Sequence, residues 1–380
     1  MEVIVLGAGL TGMFTALDLA MRGASVVLVE KGARSSGSSV SIGGVIHSGA
    51  RFAAINPVLA KTCKKESETW RAMAGDFINA DGGYFIRVPE TDSKYVEDWL
   101  AGLDSANIPH ASLSVNEVPS QKLKRQSVIE AFETPEQVIQ LSAFMKALLN
   151  EAVEKGVLYV NAAEWMAVGK EDSYYEVNLK RGWFETKIKG FIVNATGAQI
   201  PEVTRAIGGI PRGKFAKFRG SHLVFREKLG GVIEKIGKPG QADLFSPALS
   251  EGLSLAAPTL TPWDGDEMSQ EEYLTLLRGT KEVFDISDPD VLGYLSTARL
   301  SYDQASSEMP TDYLEEIGGL VNAYSSNFTC ARLVAEKAAD ILATKLGIQK
   351  ASSTAKIQIS SEEFSFKPLN HSARERTIPR

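Results

Sequence analysis

Hydrophobic and polar positions along the chain switch between two periods, and each switch marks an element. Val3 to Leu6 is a continuous apolar run of strand length. After Gly-Ala-Gly-Leu-Thr-Gly (7–12), apolar positions recur with helical spacing through Ala20, and Gly23 is the expected stop. SVVLVE, ending at Glu30, returns to a strand. Asn56-Pro57 reads as an N-cap and first-turn proline opening a helix to about Met73. From about Pro135, VIQLSAFMKALLNEAVEKG carries a helical period that ends at Gly156, and VLYV follows as a strand. YYEVNLKRG and WFETKIKG alternate with period two, which predicts a hairpin turning near Gly182 and leading into FIVNATGAQ. Residues from about Lys214 to Leu300 are strand-rich, SHLVF among them, with one helix opened by a Ser269/Glu272 capping box. Ile317 to Val321 reads as a short strand, and Asn327-Phe328-Thr329 as the start of a helix ending near Leu346.

Composition narrows the class. A chain of 380 residues suits two domains, or one large domain with an elaborate insertion. With 44% hydrophobic and 23% charged residues it is an ordinary globular protein, and a net charge of −6 gives no electrostatic reason to expect nucleic acid. Cys63 and Cys330 lie far apart outside any CxxC pattern, so a disulfide framework, a zinc site and an iron–sulfur cluster are not expected; both read as buried thiols. The apolar N-terminal stretch has no basic n-region and is broken by GAGLTG, so neither a signal peptide nor a membrane span is expected.

The first chemistry is at the N-terminus. Strand, glycine turn, helix and second strand are in register with an acid roughly 20 residues beyond the glycines, the arrangement of a dinucleotide-binding unit. Gly7 permits the tight turn, Gly9 lets backbone approach a pyrophosphate, and Gly12 lets helix pack on strand; Glu30, with Lys31 beside it, would meet a ribose. A second signal is SIGGVIHSGARF, where His47 and Arg51 sit in a glycine-rich apolar turn, chain of a composition suited to lying against a bound molecule. A third is the apolar strand ending in Asn194-Ala195-Thr196-Gly197, which puts small residues where chain leaves a sheet beside a ligand.

GAGLTG with Glu30, then HSGAR, VNATGA and RGSHLVF, in that order, resemble the FAD-dependent glycerol-3-phosphate dehydrogenases within the superfamily that includes D-amino-acid oxidase, over roughly residues 1–345. The resemblance implies an α/β fold: a Rossmann-like FAD-binding domain (1–80, 136–210 and 315–350), an interleaved β-rich α+β substrate domain (81–135 and 211–314) and a C-terminal tail (351–380). It implies oxidation of sn-glycerol-3-phosphate to dihydroxyacetone phosphate, with hydride passing to flavin N5. Gly7, Gly9, Gly12, Glu30 and Lys31 fall at its ADP-binding positions, Gly43 and Gly44 beside the isoalloxazine, with Ala195, Gly197, Asn327, Phe328 and Thr329 also on the cofactor. His47 would take the alcohol proton, its alternatives being a structural histidine or a covalent flavin tether; Arg51, His222 and Arg299 would contact an anionic substrate. Where the family has a GGK segment this chain has Gly318-Gly319-Leu320, so one expected cation is absent.

Two other functions fit the residues: oxidation of a small L-2-hydroxyacid or amine, and the role of a flavin-containing RNA-modification or assembly subunit. By contrast, a nicotinamide dehydrogenase would explain Gly7 to Glu30 but not HSGAR or VNATGA. No metal is expected. The electron acceptor implied is a quinone, oxygen or a partner protein, and the location cytoplasmic, with peripheral contact at the inner face of a membrane as the variant. His110 and His371 read as surface residues, and Lys367 to Arg380 as a solvated basic extension.

Overall fold

A computed structural model describes residues 2–32, 43–237, 243–247, 252–265, 267–302 and 312–361; His371 and the basic tail lie outside them. The described chain forms two sheets. In the first, the strands run Tyr313–Ile317, Leu320–Tyr324, Phe184–Asn194, Glu2–Leu6, Ser25–Val29, Leu158–Val160, and Tyr174–Arg181 and Glu164–Glu171 extend the Phe184–Asn194 strand as a meander. Glu2–Leu6 pairs in parallel with both Ser25–Val29 and Phe184–Asn194, so the chain winds outward in both directions from it. The carboxyl ends of Glu2–Leu6 and Phe184–Asn194 therefore flank a topological switch point, where doubly wound sheets bind ligands. Helices Leu10–Arg22, Leu141–Glu154 and Ala331–Lys345 pack on this sheet through one apolar core that includes Phe14, Phe144, Leu148, Ala335 and Leu342.

The second sheet gathers strands from distant parts of the chain: Val45–Ile46, Ile78–Arg87, Ala111–Leu113, Glu130–Ile139, Phe215–Arg226, Val232–Lys235, Leu244–Pro247, Leu253–Ala257, Thr261–Pro262 and Val291–Tyr302. Ile78–Arg87 joins Val232–Lys235 in parallel and Glu130–Ile139 antiparallel, which unites the early and late pieces. Among the described residues no helix is long and apolar enough to cross a membrane.

The Asn56 cap, the hairpin at Gly182 and the Ser269/Glu272 capping box form as their sequences predict. Two readings change. Pro135 to Ile139 is strand rather than helix, because Glu130–Ile139 has a paired neighbour on either side that an isolated periodicity does not reveal; the helix starts at Leu141. Pro135, lacking an N–H, sits where the register against Asp81 and Gly83 shifts, at a bulge. Ile317 to Val321 is two strands, turned by Gly318 and Gly319 with φ of 52° and 95°. The two cysteines are free and buried, as expected, yet meet in the core with their sulfurs 3.8 Å apart. His110 is partly buried, its Nδ1 3.0 Å from the Ile108 carbonyl.

The strand Phe215–Arg226 carries RGSH, and its two faces have separate duties. On one face Arg219 donates from Nε to Glu272 at 2.9 Å, while Ser221 Oγ bonds the same carboxylate at 3.2 Å. Thr259 and Thr261 hydroxyls donate to it as well, each at 2.8 Å. Burial alone would raise the Glu272 carboxyl; Arg219, the Ser269 N–H and the two threonines outweigh it and hold it down to about 2. This knot fixes the helix Gln270–Val283 to the strand and leaves the opposite face free for the site. Glu272→Gln is expected to cost about 3–5 kcal/mol of unfolding free energy at pH 7. Because the folded carboxyl lies below its unfolded value, that contribution is complete above about pH 4.3 and fades as pH falls toward 2. Urea melts of both proteins at pH 7 and pH 3 check this; an equal gap at the two pH values would contradict it.

Candidate active site

The nucleotide end is built from backbone. Gly7 has φ of 97°, and a Cβ there would lie 2.6 Å from the Ala195 carbonyl oxygen; at Gly12 a Cβ would lie 1.8 Å from the Gly7 carbonyl oxygen. Strand, helix and the VNATGA turn therefore touch through main chain alone, at the switch point. Gly9 is the N-cap of Leu10–Arg22 and has no side chain to cover the helix amides. The Glu30 carboxylate accepts from the N–H of Ala8 at 2.8 Å and of Gly32 at 2.9 Å, which holds it at the end of its strand; Lys31 is exposed. Asn194 is buried beneath the second turn, donating to the Ile200 carbonyl, Thr204 and Asn322, and its Oδ1 accepts from the Thr196 hydroxyl at 2.6 Å.

The HSGAR turn lies between the sheets. Gly44 precedes it, and a Cβ there would lie 2.6 Å from the Ile139 carbonyl oxygen; at Gly43 it would lie 2.8 Å from Ser246 Oγ. The His47 N–H donates to Thr329 Oγ1 at 2.9 Å, and the Trp99 indole donates to the Ala50 carbonyl at 2.8 Å. The His47 ring packs edge-on against Phe52, with centroids 5.7 Å apart. Its buried Nδ1 has no hydrogen bond of ordinary geometry among the described residues, and Glu136 Oε2 faces it at 3.4 Å. Arg51 is differently employed from the expectation that it reaches an anionic substrate. Its Nη1 lies 2.5 Å from Glu234 Oε1 and its Nη2 3.2 Å from Asp243, so two buried carboxylates occupy the guanidinium. Burial would lower Arg51, but Asp243 and Glu234 together hold it well above the ordinary arginine value. Burial also pushes Glu234 up, with Arg51 opposing and Asp243 and Glu136 adding to the rise.

His222 and Arg299 come together on the free face of the RGSH strand. Phe218 pairs with Arg299, Gly220 with Thr297 and His222 with Leu295, and alternate residues of paired strands share a face. The Arg299 side chain folds across Gly220, where a Cβ would lie 2.6 Å from its Nε. No hydrogen bond or ion pair engages the Arg299 guanidinium among the described residues, in contrast to Arg51. Burial lowers Arg299 from the ordinary arginine value, with Tyr324 opposing and Arg51 adding to the fall. His222 is buried with Nδ1 unpartnered among the described residues, and burial followed by the Arg299 charge pushes it down to about 3, so it is neutral at physiological pH. Tyr324, from the first sheet, is half-buried nearby and its oxygen accepts from the Leu300 N–H at 3.0 Å.

Of the late segment, Phe328 stacks on Trp70 at 4.8 Å and belongs to the core. Thr329 is held through its carbonyl by the Trp70 indole at 2.9 Å, and Asn327 Oδ1 accepts from the Cys330 N–H at 3.0 Å. Asn327 Nδ2 remains buried, and unpartnered among the described residues, at the start of Ala331–Lys345. Glu136, Glu234, Asp243 and Tyr324 are absent from the sequence-derived site. The signal available for Glu234 and Asp243 is an acid within short apolar runs, VIEK and DLF.

Main chain packed too closely for a Cβ at the switch point, a helix terminus whose N-cap is a glycine and an amide unpartnered among the described residues at a second helix start fit a dinucleotide carrying a flavin. The fold and site are those of a flavoprotein oxidoreductase. The chain belongs to the DAO family of FAD-dependent oxidoreductases, whose family pattern matches residues 2–341, and its cofactor is FAD. It is 26% identical over 96% of its length to the A1 component of the anaerobic glycerol-3-phosphate dehydrogenase of Haloferax volcanii, spanning 67% of that protein. It is 25% identical over 95% of its length to the corresponding component of the Escherichia coli K12 enzyme, spanning 70% of it. Its fold is similar to L-alpha-glycerophosphate oxidase of Mycoplasma pneumoniae with FAD bound (TM-score 0.76, 18% identity, 94% of this chain and 98% of that one). It also resembles glycerol-3-phosphate dehydrogenase of Bacillus halodurans complexed with FAD (TM-score 0.69, 18% identity, 95% and 68%).

Gly12→Ala is expected to empty the protein of FAD, since the added carbon overlaps a backbone oxygen of the turn itself. The ratio of flavin absorbance to protein absorbance after purification measures it. A variant that keeps the wild-type ratio would mean that this turn does not carry the cofactor.

Proposed function

We propose that the protein oxidises sn-glycerol-3-phosphate to dihydroxyacetone phosphate. The observation that carries this reading is the Arg299 guanidinium, partly buried, without a carboxylate partner among the described residues and beside a neutral His222. An uncompensated buried cation favours an anion, and a guanidinium can grip phosphate with paired N–H donors. The names of the relatives from Haloferax volcanii and Escherichia coli support the same substrate.

The surroundings separate the roles of the two histidines. His222 sits against a cation, which opposes its protonation, so it suits hydrogen bonding to the substrate as a neutral ring. His47 has Glu136 Oε2 facing Nδ1 at 3.4 Å and Nε2 unengaged among the described residues, so it suits receiving the hydroxyl proton of the substrate. FAD, when bound, supplies the hydride acceptor. Arg51 holds the turn that carries His47 rather than the substrate, because its charge is already matched by Glu234 and Asp243. One observation favours a second reading: with Arg51 occupied and Leu320 where the resemblance expects lysine, the Arg299 guanidinium serves a carboxylate as well as a phosphate. A small L-2-hydroxyacid is therefore the alternative substrate.

Anaerobic addition of sn-glycerol-3-phosphate is expected to bleach the flavin band, and 2-hydroxyglutarate to leave it unchanged; the reverse pattern selects the alternative. Arg299→Met is expected to raise the half-saturating glycerol phosphate concentration by roughly tenfold or more, the loss of one charge-assisted contact. Arg51→Met instead is expected to destabilise the fold by about 3–5 kcal/mol, because two carboxylates lose their counter-charge. Reduction kinetics and denaturant melts of the two variants distinguish these outcomes.

A further inference from the structure

We infer that Glu136 is a positioning residue for His47, holding the imidazole with its proton on Nδ1 and presenting Nε2 to the substrate. This rests on the reading of His47 as proton acceptor and names the group that keeps it in that form.

The carboxylate is built into place. Glu136 is fully buried in Glu130–Ile139, immediately after Pro135 at the bulge, where the register against the facing strand shifts. Its side chain runs over Gly83, where a Cβ would lie 2.3 Å from Glu136 Cγ, so a larger residue at 83 would displace it. Bulge and glycine together re-aim this acid from the ladder into the HSGAR turn. There it accepts from the Ser48 N–H at 3.0 Å and from the Ser48 hydroxyl at 2.5 Å, locking the residue next to His47. Its Oε2 also faces His47 Nδ1 at 3.4 Å. The other attachments of His47 among the described residues do not engage Nε2: the backbone N–H is on Thr329, and Phe52 packs on the ring.

The chemistry follows from donor and acceptor counts. An ionised carboxylate only accepts, so the imidazole nitrogen facing it carries the proton and the other nitrogen keeps its lone pair for the substrate hydroxyl. When the substrate proton arrives on Nε2, Glu136 Oε2 still faces the Nδ1 side of the ring at 3.4 Å. Arg51 cannot substitute as the partner of Glu136 because it is engaged by Glu234 and Asp243.

The test combines a spectroscopic and a kinetic readout on FAD-loaded protein. In ¹⁵N-histidine-labelled wild type, where only four histidines contribute signals and His47→Asn identifies the relevant one, the neutral His47 ring is expected to show the Nδ1–H pattern. In Glu136→Leu it is expected to move toward the Nε2–H pattern. Glu136→Gln preserves shape and removes the charge. It is expected to slow flavin reduction at saturating sn-glycerol-3-phosphate on the order of a hundredfold, with the half-saturating concentration changed less than about threefold.

An Nε2–H ring in wild type overturns the proposal, as does wild-type reduction by Glu136→Gln. The wild-type spectrum and its His47→Asn assignment leave Glu136 untouched, so the proposal stays testable if a substitution at Glu136 prevents folding. If glycerol phosphate fails to reduce the wild type, the substrate reading falls, and the tautomer still decides the role of Glu136.

Discussion

The bond from Arg51 to Glu234 and Asp243 is the constraint on which the site depends. It ties a turn that follows the first sheet's opening unit to the strand Val232–Lys235 of the second sheet and to Asp243, the residue just before the neighbouring strand Leu244–Pro247. A buried guanidinium and two buried carboxylates cannot be separated cheaply, since each would be left in a low-dielectric setting without its partner. The geometry of the turn is thereby set by residues 183 and 192 positions further along the chain. His47 is four residues before Arg51, so whatever fixes Arg51 also fixes the approach of the histidine.

That constraint also divides the charges. Glu234 and Asp243 hold one guanidinium, and burial, with Asp243 and Glu136 adding, pushes Glu234 well above the usual carboxylate range. Glu136, Glu234 and Asp243 all bond the turn that carries His47. On the other side, Arg299 has no carboxylate among the described residues, and the neighbouring His222 is held neutral. The two histidines thus have opposite neighbours: a carboxyl faces His47 and a guanidinium lies beside His222.

What is legible in the sequence is local. Gly7, Gly9 and Gly12 announce themselves because the tight turn, the amide-lined helix start and the strand–helix contact all fall within a few residues. His47 and Arg51 stand out as residue types in an apolar glycine-rich turn, but the two acids that capture Arg51 are distant, and a free arginine cannot be told from a paired one by spacing. Glu136 is hidden for another reason. Pro135 reads as the first turn of a helix, because VIQLSAFM supports a helical period as well as a buried strand. Only the pairing with Ile78–Arg87 turns that proline into a bulge and the next residue into a site group. Gly83, opposite the bulge, is clearance for the Glu136 side chain.

RGSH makes the same point from the other side of the site. A strand with alternating faces can serve two ends at once, and here Arg219 and Ser221 face the Glu272 knot while Gly220 and His222 face the site. The glycine is the hinge of this arrangement, since its missing side chain is the space through which Arg299 crosses toward His222. The ladder between Phe215–Arg226 and Val291–Tyr302 keeps Arg299 in register with that glycine. One strand thus carries the Glu272 knot on one face and, on the other, His222 and the glycine that Arg299 crosses.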